Sequence, residues 1–115
     1  EDKYGFAKKS EKAAAMEKQR LMWEQFCQKY SGRLSAEETR AGREEALQML
    51  EKKDTLPPIR LKIAKYISDG YTLERNLPKA LEYLEIARDA DPESQAAKKL
   101  EPWIDNMRKH INQEK

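Results

Sequence analysis

Cysteine and histidine are almost missing from this 115-residue chain, with Cys27 and His110 the single examples. A lone cysteine forms no internal disulfide and brings no thiolate cluster for zinc. Cys27 sits in WEQFCQKY on an apolar helical stripe, where it reads as a small packing residue. His110 lies in a charged C-terminal turn, placed to complement the negative end of a helix dipole. Long apolar runs are lacking too, and no stretch approaches the ~20 apolar residues of a membrane span. With few aromatics and few β-branched residues, strands are disfavoured.

An excess of one charge is also absent. The 23 Lys and Arg stand against 21 Asp and Glu, a net charge of +2. The surplus is not local: residues 1–30 carry seven basic and five acidic side chains, 31–97 eleven and thirteen, and 98–115 five and three. Nucleic-acid binding rests on clustered Lys and Arg that displace counterions, and here lysines alternate with glutamates, so that class is disfavoured. There is no Gly-rich phosphate loop, no paired-cysteine motif and no His-Glu cluster. Catalysis needs a nucleophile with its base, a matched acid-base pair or a metal cluster. No catalytic, cofactor-binding or metal-binding residue is therefore assigned, and the chain is not expected to be an enzyme. Glu1 rather than Met at the start suggests a processed or trimmed terminus, which leaves cytoplasm and periplasm both open.

What is present is helical punctuation. Hydrophobic and charged residues each make up 38%, a balance suited to narrow helices with one buried stripe. Residues 1–12 are mostly charged and contain Gly5, so fraying is expected there. Ala13, Met16, Trp23, Phe26, Cys27 and Tyr30 then form one stripe, ended by Gly32. Ser35 and Glu38 make a capping-box pattern ahead of Ala46, Leu47 and Leu50. Lys52 and Lys53 suit the end of that helix, and Pro57 and Pro58 stop it, with Pro58 available to start the next. The third helix uses Ile63, Ala64 and Ile67 and is expected to stop at Gly70. Pro78 opens a fourth with Ala80, Leu81, Leu84 and Ala87. Asp91 and Pro92 suit the start of a fifth, with Ala97, Leu100, Trp103 or Ile104, Met107 and Ile111 at core spacing and Pro102 as a point of kinking.

At an offset of 34 residues, Ala46, Leu47, Leu50 and Glu51 fall on Ala80, Leu81, Leu84 and Glu85. That offset is the length of a helix-turn-helix repeat. The second copy, best over residues 59–91, resembles the Sel-like repeats, relatives of the tetratricopeptide repeat. Ile63 and Ala64 match the family's large-small pair, Gly70 its turn, Leu73 and Asn76 its loop, and Lys79, Ala80, Tyr83 and Ala87 its second helix. Thr72 replaces a family glycine, Asn76 an acidic residue, and DADP the closing glycine. The first copy is degenerate, with Gly42 at the position of Asn76 and Lys53 at that of Ala87.

The expected fold is all-α, about five helices in antiparallel pairs, a short Sel-like or tetratricopeptide-like solenoid in a single domain. Residues 13–53 would be the degenerate first repeat, 58–91 the clear one and 92–113 a capping helix. The resemblance implies an adaptor or scaffold that binds a protein or peptide; the lack of a membrane-length apolar run leads to the expectation of a soluble chain, with a monomer favoured. A concave face built from the first helix of each pair would present Gln28, Lys29, Lys62, Lys65, Tyr66 and Asp69. The alternative is a structural or inhibitory helical bundle without a groove, such as a toxin-neutralising immunity protein or an oligomerising bundle.

Overall fold

The Glu38 amide donates to the Ser35 hydroxyl at 3.1 Å, and the Ser35 amide donates to the Glu38 carboxylate at 3.1 Å, so the expected capping box starts a helix. The computed structural model describes the backbone of residues 2–113 and the side chains of 11–113. Over these the fold is all-α: α1 Asp2–Lys29, α2 Ala36–Glu51, α3 Pro57–Leu73, α4 Leu77–Ala90 and α5 Gln95–Gln113. The fraying expected of residues 1–12 concerns, for its first ten, side chains outside the described residues.

The chain divides into two compact units, Glu1–Arg33 and Leu34–Lys115. In the first, Arg20 of α1 bridges Glu17 and Glu24, three and four residues away on the same helical face. Trp23 stacks on Phe26 with centroids 5.0 Å apart, and Phe26 meets Tyr30 in a tilted pair at 5.0 Å. Trp23 and Phe26 are buried. Cys27 corrects the sequence reading: it is exposed. One residue past Phe26 is a rotation of about 100°, which carries its side chain off the stripe centred on Trp23, Phe26 and Tyr30. Gly32, at φ +80°, takes the left-handed conformation expected of it.

In the second unit, α2, α3, α4 and α5 pack in chain order, each on the next. Ala46, Ala64, Ala80, Ala87 and Ala97 have no exposure at all, and such small residues let helix backbones approach closely. Ile59, Ile63, Ile67, Leu84 and Ile104 supply the buried bulk, each worth about 1.5–3 kcal/mol relative to exposure. Ser68, also buried, donates its hydroxyl to the Ala80 carbonyl at 2.7 Å and so ties α3 to α4 without leaving a polar atom unsatisfied.

The helix ends differ from the sequence reading in several places. Pro57, not Pro58, is the first residue of α3, and Leu77, behind the Asn76 cap, rather than Pro78, is the first residue of α4. Arg60 reaches back from α3 to donate to the carbonyls of Leu50 at 3.1 Å and Lys52 at 3.0 Å, so a side chain of the following helix satisfies the C-terminus of α2. Ser94, rather than Asp91, caps α5, its hydroxyl accepting from the Ala97 amide at 3.1 Å and donating to the Asp91 carbonyl at 2.7 Å. Pro102 lies inside α5, which continues through it, and Ile104 takes the core position that Trp103 also could have filled.

Gly70 is the main correction. The helix does not stop there, and Gly70 has no positive φ; α3 runs on to Leu73, and Arg75 takes the left-handed conformation at φ 60°. A Cβ at Gly70 would meet Arg43 Cδ at 3.7 Å, ordinary van der Waals contact, so Arg43 packs over this position without requiring a glycine there. The buried Arg43 guanidinium stands 4.4 Å over the Tyr71 ring and forms an ion pair with Glu74 at 2.6 Å, and Tyr71 stacks on Tyr83 at 5.7 Å. The ion pair is close but misaligned, since the buried Nη1 completes no hydrogen bond. Burial, followed by the neighbouring Tyr71, raises the Tyr83 phenol above its usual range. This cluster joins α2, α3 and α4.

Candidate binding groove between α3 and α5

α3 and α5 both pack on α4, and short connections reverse the chain between them, so α3 and α5 run parallel. The pairings agree: Glu85 bonds Arg108 at 3.0 Å while Arg88 reaches Glu101 at 3.6 Å, so residue numbers rise along α4 as they fall along α5. Between α3 and α5 lies an open cleft of about 380 Å³. Leu84 of α4 and Ser68 of α3 are buried at its base, and Leu77 and Met107 are half-buried on its walls. Asp69 and Thr72 form the α3 lip, and Trp103, Asn106 and His110 the α5 lip.

The helical repeat explains this set. Asp69 and Thr72 on α3, and Trp103, Asn106 and His110 on α5, are three or four residues apart along one face of each helix. Two of the lining hydroxyls are already used: Ser68 bonds to Ala80, and Thr72 donates to the Ser68 carbonyl at 3.0 Å. The base is thus effectively apolar. An unusual exposure marks the rim, because Trp103 is 54% accessible. Lys65 spans the opening: its ammonium bonds Asp69 at 3.1 Å and stands 5.1 Å from the Trp103 ring centroid.

Of the six residues assigned to a binding face, Asp69 lines the cleft and Lys65 lies across its rim. Lys62 is exposed one turn earlier on the same face of α3, and Tyr66 is half-buried beside it. Gln28 and Lys29 are exposed on the last turn of α1, in the first unit. The α5 lip was missed. His110 had been read only as a dipole partner, and Trp103 only as a core alternative to Ile104. The signal was partial: consecutive residues lie about 100° apart, so one of Trp103 and Ile104 could fall at the edge of the stripe, but the spacing does not say which.

Among the described residues, no group of three or more His, Cys, Asp and Glu is placed to hold a metal ion, and no helix is long and apolar enough to cross a membrane. No model of a known protein family matches the chain, and no curated protein or solved structure matches it either.

Proposed function

We propose that the chain is a protein-protein interaction module, an adaptor or scaffold, that takes a peptide segment of its partner in the α3–α5 cleft. The observation that carries this reading is the half-exposed Trp103 at the lip of an apolar-based cleft. Leaving a large aromatic in water forgoes the free energy of burying it, and tryptophan is among the side chains most enriched where binding energy concentrates. The cleft is bounded by two parallel helices and open between them, a shape suited to an inserted side chain with flanking chain on either side. The expected repeat architecture supports the same use, since solenoids present the first helices of successive pairs on one face and α3 is the first helix of the clearer repeat.

The test is a pull-down with the chain as bait, in wild-type, Trp103→Ala and Lys53→Ala forms, with bound proteins identified by mass spectrometry. Trp103→Ala is expected to keep the wild-type melting temperature, because the ring is outside the core, and to lose the partner that the other two retain. A partner recovered equally by all three would place binding elsewhere on the chain and refute the cleft.

A further inference from the structure

Resting on that peptide-cleft reading, we infer that the ligand is an acidic segment: an apolar anchor seated against Trp103 and Met107, with carboxylates extending toward the N-terminal ends of α3 and α5. Because these helices run parallel, their N-terminal halves share one end of the cleft. Lys62 lies one turn before Lys65 on α3, and Lys99 lies one turn before Trp103 on α5; neither lines the cleft, but the helical spacing continues the face of each lip through them beyond its N-terminal end. Both are exposed and form no ion pair among the described residues.

The opposite sign is scarce. Asp69 is the one carboxylate lining the cleft, and Lys65 already neutralises it. Past Asp69 the rim continues with Thr72, Asn106 and His110. One end of an apolar cleft is therefore cationic through Lys62 and Lys99, and the other end is polar. The amino termini of both helices point their positive dipole ends the same way, which adds to the field without altering its sign. A chain with lysines beside its anchor meets like charge at that mouth, whereas one with glutamates or aspartates meets complementary charge. This complementarity selects partners and speeds encounter, and it weakens as salt screens the exposed lysines.

Panning a phage-displayed random peptide library on the full chain tests the inference, followed by fluorescence polarisation of the enriched peptides made synthetically and labelled. Enriched sequences are expected to pair a large apolar residue with a net negative charge, and to bind more weakly as salt is raised. Trp103→Ala should weaken them about tenfold or more, as for an anchor side chain. The exposed pair Lys62→Glu and Lys99→Glu should shift selection toward basic peptides. Peptides that depend on Trp103 but show no acidic excess, and that ignore the charge reversal, would overturn the charge inference and leave the cleft standing. If no peptide of either sign binds in a Trp103-dependent way, both the inference and the cleft fall.

Discussion

Gly70→Ala is expected to stabilise the protein, the opposite of what a turn glycine would show. Gly70 lies inside α3 with helical backbone, and glycine in a helix interior is about 0.8–1.0 kcal/mol less favourable than alanine. The new methyl group finds Arg43 Cδ at 3.7 Å, an ordinary van der Waals separation, so the guanidinium can stay over Tyr71. No clash offsets the backbone gain. The net is about 0.5–1 kcal/mol, or roughly 2–8 °C in melting temperature for a domain of this size. Gly32→Ala supplies the contrast, because nothing lies within 4 Å of its Cβ site but φ is +80°. There the space is available and the backbone is not, so a loss of about 1–2 kcal/mol is expected. Urea unfolding followed by far-ultraviolet circular dichroism measures both. A loss of stability of about 1 kcal/mol or more with Gly70→Ala would refute the helical assignment of Gly70 and the packing of Arg43 against it.

The two glycines also show why some of the fold was legible in the sequence and some was not. Gly32 follows a long stripe and precedes a capping box, so local signals on both sides agree about a turn. Gly70 was read as a turn, yet it lies inside α3 with Arg43, 27 positions earlier in the chain, as its side-chain neighbour, and no local rule reports such a contact. The start of α2 was readable because Ser35 acts on its own first turn, and the starts of α3 and α4 were readable to within a residue because prolines lie in their first turns. The end of α2 before Lys52 was readable too, but not what satisfies its carbonyls, since Arg60 does so from the next helix. The site divides in the same way. Lys65 and Asp69 were named as exposed side chains of the third helix, but the cleft depends on α5 lying beside α3, which the stripe of either helix alone does not specify. Trp103 became visible as a rim residue only when Ile104 was seen to hold the core position.

Cys27 should react quickly with a thiol reagent in the native protein, with little further acceleration in urea, because it is exposed; a slow reaction that urea speeds would restore the buried reading. Arg60→Met keeps the aliphatic stem but removes two hydrogen bonds to the end of α2, a loss of about 1–2 kcal/mol in urea unfolding, and an unchanged midpoint would show that water serves those carbonyls equally well. Ala80→Leu places a large side chain at a site with no exposure, beside the carbonyl that Ser68 holds, and should cost about 1–3 kcal/mol by overpacking; no loss would mean that α3 and α4 are not in close register there. The last expectation concerns pH and the capping box. Hydrogen bonding from the Ser35 backbone amide, and then from its side chain, lowers the Glu38 carboxyl below its ordinary value. A carboxyl lowered in the folded state contributes stability that is fully present above its unfolded value and lost as pH falls through the folded one. Glu38→Gln keeps an acceptor for the Ser35 amide but removes the charge, so wild type should melt above the variant near neutral pH. That difference should close as acid protonates Glu38, whose neutral form then resembles the glutamine. Thermal melts of both proteins across this range test the sign: a difference that stays constant, or widens toward acid, would show that the Glu38 charge does not support the start of α2.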